Sequence, residues 1–479
     1  MSSASNGHMT DRVDVALADV ALGGAVKFTT DRLRGRKAEA SEALGDWQEW
    51  REAGRSIRAH TVANLDYYVD QFTTNATAAG STVHFASDGV EAVAAIRQIV
   101  REKAAKLVIK SKSMVTEEIH LNAAFEADGL ECVETDLGEY ILQLAKEPPS
   151  HIIVPCIHKR RSEIAALFSA EAGREIAQDT VSLTAFARQK LRETFIAADI
   201  GITGCNFALA DTGSIVLFSN EGNGRMTTTL PKTHVVVMGM ERLLPTFEDL
   251  DIFAKLLPRS ATGQKITSYM TVLTGPRRDC EVDGPDDVHI VILDNGRSNQ
   301  LGDPEFQEIL NCIRCGACLN VCPVYRHVGG HAYGNVYPGP IGAVLAPLLR
   351  PDDPAAAELP YASSLCGACA EACPVKIPLH DMLVRLRARN VARGNGKPEE
   401  QIAFTGFAKL FGSASLYGPM MQLARLGQKL TVGNGRRPQW FMNLFGPAGA
   451  WAKGRDLPTS QGASFRERWA KRGGHRNGK

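Results

Sequence analysis

No run of this chain approaches the roughly 18 uninterrupted apolar residues that a membrane helix needs. The longest candidate, IGAVLAPLL (Ile341–Leu349), is half that length and contains a proline. The first residues, MSSASNGHMTDRVD, lack the charged, then apolar, then small-residue order of an export signal. A cytoplasmic, reducing setting is therefore expected, with membrane contact at most peripheral. A nucleotide-binding fingerprint is also missing: the glycine-rich EGNGR (Glu221–Arg225) follows a strand pattern without GxGxxG spacing, and no helix is expected after it. Net charge is nearly absent at +1, and no nucleic-acid partner is expected.

What is present points to more than one folding unit. The 479 residues, 44% apolar and 22% charged, suit two or three domains at about 100–200 residues each. The charge is unevenly spread, because from Arg385 onward 18 Lys and Arg face only 4 Asp and Glu. Composition suggests a helical segment over residues 1–75, with Leu65, Tyr68 and Phe72 at helical spacing and no chemistry of its own. Residues 76–298 alternate strands and helices, which predicts an α/β domain with a largely parallel sheet. Its expected strands include TVHFA, KLVIKS, LECVET, HIIVPCI, GSIVLFS, THVVVMGM and VHIVILDNG. TEEIHLNAAFEADG is read as one helix, and LTAFARQKLRETFIAADIG as a long helix ending at Gly201. Residues 299–390 are helical and cysteine-rich. Residues 391–479 form a basic tail with short helices at best, where Trp440, Trp451 and Trp469 mark a candidate docking segment.

Seven of the eleven cysteines sit in two short runs. NCIRCGACLNVCP places Cys312, Cys315, Cys318 and Cys322 in the order CxxCxxCxxxCP. SSLCGACAEACP repeats the cadence with Cys366, Cys369 and Cys373, but has Ser363 where the first run has Cys312. Two-residue gaps let a short loop direct three thiolates at one cubane, while the cysteine before proline serves the other cluster. A zinc site would need two CxxC knuckles separated by a longer stretch and gives no reason for the third cysteine. Without an export signal, disulfides are disfavoured. The spacing thus predicts two [4Fe-4S] clusters. The first takes Cys312, Cys315, Cys318 and Cys373; the second takes Cys322, Cys366 and Cys369. The remaining corner of the second is filled by Ser363, by another ligand or by nothing, and in the last case a [3Fe-4S] cluster results. Gly316, Ala317, Gly367 and Ala368 let backbone amides approach the sulfides, and Arg314 and Lys376 are candidates for raising the potentials.

VIKSKSMVTEEIHLN (Val108–Asn122), ETDLGEYILQLAKEPPSHIIVPCIHKRR (Glu134–Arg161), ADTGSIVLFSNEGNGR (Ala210–Arg225) and the two cysteine runs together resemble the lactate utilisation protein B family. The resemblance extends over about residues 45–470 and includes the three-cysteine second run and the tail WAKGRDLPTSQGASFRERW. It implies a lactate-utilisation domain similar in fold to the sugar-phosphate isomerase and coenzyme A transferase sheet, and a C-terminal α-helical dicluster ferredoxin domain. It further implies the iron–sulfur subunit of a three-component system that oxidises L-lactate to pyruvate, with two partner subunits and an unidentified electron acceptor. No proven catalytic residue comes with it.

Two stretches are candidates for a small-anion site, since ligands of open α/β sheets bind beyond the carboxyl ends of strands. One is Ser219–Arg225, with Glu221. Coenzyme A transferases carry a nucleophilic glutamate in a somewhat similar turn, but the order Asn220, Glu221, Gly222 departs from that pattern. The other is KSKSM, where strand alternation would put Lys110 and Lys112 on one face and Ser111 and Ser113 on the other. His151 and His158 are read as structural hydrogen-bond partners flanking a strand, and Cys132, Cys156, Cys205 and Cys280 as buried thiols. The leading reading is an electron-transfer subunit. The alternatives are that the α/β domain is itself the lactate or 2-hydroxy acid oxidising site, or that the clusters only organise a scaffold.

Overall fold

Four helices precede the first strand: α1 (Met9–Ala18), α2 (Val20–Glu42), α3 (Trp47–Ala63) and α4 (Leu65–Ala78). The computed structural model describes residues 8–394, 398–432 and 463–472, and contacts divide the chain after Asn390 into two units. Strands and helices then alternate through β1 (Thr82–Ala86), α5 (Gly89–Glu102), β2 (Leu107–Lys110), α6 (Met114–Glu118), α7 (Leu121–Ala127), β3 (Glu131–Glu134), α8 (Leu137–Ala145), α9 (Arg161–Ala172), α10 (Thr180–Ala197) and β4 (Ile200–Thr203). They continue through β5 (Phe207–Leu209), β6 (Ser214–Ser219), α11 (Asn223–Thr229), β7 (Thr233–Gly239), β8 (Leu243–Leu244), α12 (Phe247–Ala261), β9 (Tyr269–Leu273) and β10 (Asp287–Leu293).

Six strands form a wholly parallel sheet in the order β1-β10-β7-β4-β2-β3. A parallel sheet is covered on both faces, so its strands are apolar throughout. In β7, Val235 and Val237 join Val291 and Leu293 under α5 and α7, while Val236 and Met238 join Ile290 and Ile292 on the opposite side with α4. The chain steps from β2 to β3 on one side and then returns to place β4 on the other. The strand order therefore reverses between β2 and β4, where a crevice is expected at the carboxyl ends. A second sheet, β8-β5-β6-β9, is mixed.

Four local expectations are corrected. The helix expected to reach Gly201 stops at Ala197, and IGIT is β4. The Asp199 carboxylate accepts the amides of Lys106 (2.7 Å) and Leu107 (3.0 Å), which pins the new strand to the start of β2. TEEIHLNAAFEADG breaks into α6 and α7 at His120, whose φ is 54°. A helix, α11, does follow EGNGR, with left-handed Gly222 at its N-cap. HIIVPCI is not a strand. The His151 ring accepts the amides of Ile153 (3.0 Å) and Val154 (3.1 Å) at Nδ1, and the Ser150 amide donates to the Pro155 carbonyl at 2.9 Å, closing the stretch into a turn.

That turn is apolar because it is wedged against the cysteine region. The latter comprises α13 (Ser298–Leu301), α14 (Ala317–Val321), α15 (Pro323–Val328), α16 (Gly339–Leu349), α17 (Pro354–Glu358), α18 (Ala368–Ala372) and α19 (Leu379–Ala392). Ile152 shares one core with Leu319, Tyr325, Ile341 and Leu345. The IGAVLAPLL run lies in α16, which is buried almost throughout. The second unit holds α20 (Pro398–Gly412) and α21 (Ala414–Val432), longer than the short helices expected there, because their alanine, leucine, phenylalanine and methionine content sustains helix. Phe404, Phe407, Leu416 and Leu423 are exposed. In α22 (Phe465–Lys471), exposed Trp469 stacks on Phe465 with centroids 5.7 Å apart. Trp440 and Trp451 lie outside the described residues. No helix of the described residues is long and apolar enough to cross a membrane.

A buried ion network ties the first unit together. The Glu241 carboxylate, just past β7, accepts from Arg297 Nε at 2.7 Å and Arg314 Nη2 at 3.3 Å. Arg297 also grips Glu118 (2.9 Å), which accepts the Tyr337 hydroxyl at 2.7 Å. Arg58 of α3 donates to the carbonyls of Glu241, Leu243 (2.6 Å) and Leu310 (2.9 Å). Burial alone would raise the Glu241 pKa, but Arg297, Arg242 and Arg314 hold it at about 2. Gly239 is required here, since a β-carbon would collide with the Glu241 carboxylate and Arg297. Removing one member of a buried pair leaves an uncompensated charge and is destabilising by about 3–5 kcal/mol. Glu241→Gln is therefore expected to lower the anaerobic denaturation midpoint by that order, while exposed Glu248→Gln stays within about 0.5 kcal/mol of wild type.

Candidate functional site

The two cysteine runs use the same backbone. Gly316 (φ 73°) caps α14 and Gly367 (φ 81°) caps α18, each in the left-handed conformation that favours glycine. Two residues earlier in each loop, Arg314 (φ 58°) and Leu365 (φ 56°) are left-handed without being glycine. The Arg314 amide donates to Cys312 Sγ at 3.4 Å, and the Leu365 amide donates to Ser363 Oγ at 3.1 Å. Ser363 thus occupies the place of Cys312 in backbone terms, with its oxygen where the first loop has sulfur. Arg387 secures this loop by donating to the carbonyls of Pro360 (2.9 Å) and Ser363 (3.0 Å).

Cys373 of the second run lies within charge-interaction range of Cys312 and Cys315 of the first, and Cys322 of the first within range of Cys366 and Cys369 of the second, while Cys318 also feels Cys369. Cys312, Cys315, Cys318 and Cys373 line one cavity together with Ile152, Arg314 and Ile341. Sulfurs around a single zinc would sit about 3.8 Å apart, given Zn–S bonds of about 2.3 Å. Among the described residues no three cysteine sulfurs lie within 4.8 Å of one another, and every cysteine is a free thiol. The donor set is thus too open for one ion and fits iron–sulfur clusters. Burial, then repulsion from Cys373, pushes Cys315 up to about 12. Cys315, Cys318 and Cys373 are buried, but Cys366 is exposed beside exposed Leu365 and Tyr361.

A larger cavity of about 320 Å³ lies beyond the carboxyl ends of β2, β3 and β4, at the reversal of strand order. The strand ends at Lys110, so the expected alternation stops there, and Ser111, Lys112 and Ser113 all line the cavity. Lys110 does not. Its ammonium is buried between Glu134 (2.7 Å) and Glu117 (2.9 Å), whose charges outweigh burial and raise its pKa. Glu221 lines the cavity and accepts the Leu137 amide at 3.2 Å. Glu221 is exposed at the cavity's rim, and partial desolvation of its carboxyl, then the neighbouring Asp136 charge, pushes it up to about 7. Ile152 and Arg314 line this cavity as well as the one holding the four cysteines.

His151 has the structural role expected of it. Nδ1 accepts two amides, so Nε2 carries the hydrogen and donates to Asn320 Oδ1 at 3.1 Å. Burial, reinforced by Lys112, lowers its pKa to about 3. His158 Nε2 meets Glu147 at 2.7 Å and its ring packs on His331, but Lys159 already neutralises that carboxylate. Cys205 lines the larger cavity, with burial pushing it up to about 12. Cys280 is corrected to an exposed thiol, because the polar loop before β10 leaves it uncovered.

The family model for the LUD domain matches residues 69–293, and that for a 4Fe-4S dicluster domain matches residues 308–377. Lactate utilization protein B of Bacillus licheniformis is 50% identical over 459 residues, 95% of this chain and 95% of its own. That of Oceanobacillus iheyensis is 49% identical, covering 96% of each chain, and that of Bacillus subtilis is 48% identical, also covering 96% of each. The chain belongs to the lactate utilization protein B family. A solved structure of a DUF162 family protein from Deinococcus radiodurans aligns with 48% of this chain and 98% of its own at 15% identity and a TM-score of 0.28, too low to carry any point of structure.

Seen as a lactate utilization protein B, the chain also places functional groups that its sequence did not flag. Arg51 of α3 donates to the carbonyls of Cys373 (2.9 Å) and Ala370 (3.1 Å), and Lys37 of α2 donates to that of Ala372. The N-terminal helices therefore supply cations beside Cys373 and Cys315. Of the two tuning candidates, Arg314 is buried next to Cys312, while Lys376 pairs with Glu52 at a more open position. No local pattern marks Lys37 or Arg51, because their partners lie more than 300 residues away. The match of Ser363 to Cys312 gives a specific expectation. In anaerobically reconstituted protein, Ser363→Cys should change the spin-resonance spectrum of one cluster and leave the other as in wild type. Eight irons and unchanged spectra in both Ser363→Cys and Ser363→Ala would dismiss position 363 as a ligand site.

Proposed function

We propose that the protein is the iron–sulfur electron-transfer subunit of a complex that oxidises L-lactate to pyruvate, with two other lactate-utilisation subunits as partners in the cytoplasm. The relatives carry the name lactate utilization protein B, which supplies the metabolite. In this reading Cys312, Cys315, Cys318 and Cys373 hold one [4Fe-4S] cluster, Cys322, Cys366 and Cys369 hold the second, and Ser363 stands at its fourth corner. The observation that supports the reading is that Cys373 of the second run lines one cavity with Cys312, Cys315 and Cys318 of the first, the crossing expected of two-cluster ferredoxins.

Oxidation of L-lactate to pyruvate releases two electrons and two protons, and bound clusters supply one-electron steps. The chain's own part is to set the path. In this reading the first cluster is held by the buried thiols of Cys315, Cys318 and Cys373, and exposed Cys366 would be the second cluster's most accessible ligand, towards which an acceptor subunit docks. Amides of Arg314 and Ile377 donate to Cys312 and Cys373 at 3.4 Å each, hydrogen bonds of the kind that set cluster potentials. Adding L-lactate to the anaerobic complex is expected to produce the spin-resonance signals of both reduced clusters within a turnover, with reoxidation when acceptor is supplied. Clusters that stay silent throughout turnover would reduce them to a scaffold and sink the reading.

A further inference from the structure

Three cationic side chains on the cavity beyond β2, β3 and β4 keep donor atoms that the fold leaves without acceptors. Lys112 Nζ, Arg242 Nε, and Arg314 Nε and Nη1 are buried and have no hydrogen-bond partner, and all three residues line it. The Arg242 and Arg314 side chains are each only 7% exposed. Fixed carboxylates come near without closing the contact: Glu139 is 3.8 Å from Lys112 Nζ, and Glu241 is 3.9 Å from Arg242 Nε. Glu241 is moreover already shared with Arg297 at 2.7 Å. Buried donors are as a rule satisfied, and orphaned cationic ones are the costliest exceptions. Several around one void of about 320 Å³ indicate an acceptor that enters from outside.

The rest of the lining narrows its chemistry. Asp136 and Glu221 are on the same cavity. Asp136 uses Oδ1 to cap α8 through the amides of Gly138 (3.0 Å) and Glu139 (3.3 Å), and Glu221 accepts the Leu137 amide through Oε2. Each therefore keeps an oxygen for a further donor. A doubly charged phosphate would meet these acids unfavourably. A monoanion with an oxygen at its 2-position suits both halves of the lining, with its carboxylate on the cations and either a hydroxyl donated to an acid or a keto oxygen accepting from protonated Glu221. Ile152, Leu217 and Leu257 supply apolar wall for a short carbon skeleton.

We propose that this cavity is a binding site for a small 2-hydroxy or 2-oxo acid, L-lactate or pyruvate, held through its carboxylate by Lys112 and Arg242, with Arg314 between the ligand and the four-cysteine centre. The choice of acid rests on the lactate reading above; the site itself rests on the donor atoms of Lys112, Arg242 and Arg314 that have no hydrogen-bond partner and on their placement. Arg314 is a positioning residue. It follows Cys312, belongs to the loop that ends at Cys315, and lines both cavities, so occupancy on one side changes the electrostatics on the other.

The test uses the full-length chain reconstituted anaerobically with iron and sulfide. Calorimetric titration with L-lactate, pyruvate, acetate and inorganic phosphate should give one-to-one binding for L-lactate or pyruvate and tighter binding than for acetate or phosphate. Lys112→Gln and Arg242→Gln should each weaken binding at least about tenfold, corresponding to about 1.4 kcal/mol, while Lys112→Arg retains it. Iron content and circular dichroism of each variant check that it is folded. The bound acid should also shift the spin-resonance spectrum of one reduced cluster in wild type, and this shift should be lost in Arg314→Met. No binding of either acid at roughly 10 mM, where even a weak millimolar Kd would register, overturns the proposal. Tighter binding of phosphate, or undiminished binding by folded Lys112→Gln, does the same. Failure of the electron-transfer reading is seen separately: clusters that do not reduce in the working complex would sink that reading even where the isolated chain binds pyruvate.

Discussion

A buried carboxylate with three guanidinium groups around it, and a fourth on its own backbone carbonyl, holds the first unit in register. Glu241 sits at the carboxyl end of a central parallel strand, and its neighbours come from every layer of the first unit: Arg58 from an N-terminal helix, Arg242 from its own turn, Arg297 from the segment after the last strand, and Arg314 from a cysteine loop. Buried ion pairs of this sort contribute little net stability, because desolvation opposes the Coulomb attraction, yet they punish misplacement heavily. The geometry is demanding on all partners. Gly239 has no room for a side chain, and Arg314 adopts a left-handed backbone to reach the carboxylate and to lie over the Tyr337 ring at 5.0 Å. The loop between Cys312 and Cys315 is therefore positioned by the sheet as much as by its own cysteines.

The same coupling explains which parts of the fold could be foreseen. Strands whose two faces are both buried announce themselves as apolar runs, and THVVVMGM and VHIVILDNG are where they are expected. HIIVPCI carries the same signal for a different reason. Its apolar side chains fill the space between the LUD domain and the cysteine region, and its amides are satisfied by a histidine ring instead of a neighbouring strand. Composition reports burial, and burial against another domain looks the same as burial in a sheet. The end of α10 was misplaced because Ala197 and Ala198 suit a helix, while the stop is imposed from outside by the pairing of Asp199 with the start of β2.

For the site, residues fixed by covalent spacing were legible and residues fixed by folding were not. The two cysteine runs stand out by their two-residue gaps, and Lys112 and Glu221 could be found because each follows a strand. Lys110, one turn of the strand earlier, is instead consumed by Glu117 and Glu134, which nothing in KSKSM reveals. Lys37, Arg51 and Arg242 lack any motif. Their significance arises only when helices and sheet converge on the cysteines and on the cavity beside them.

The two cysteine loops share their backbone, with a left-handed residue at equivalent positions, but not the side chain that this residue carries. In one loop that residue is an arginine turned inward, 7% exposed and bound into the ion network; in the other it is a leucine, 37% exposed, beside a surface cysteine and a serine in place of the matching thiol. A faithful duplication would have had interchangeable ends. Here Leu365 for Arg314 and Ser363 for Cys312 break that equivalence, so the repeated motif has a polarity, with one loop committed to the interior of its own chain and the other open to solvent.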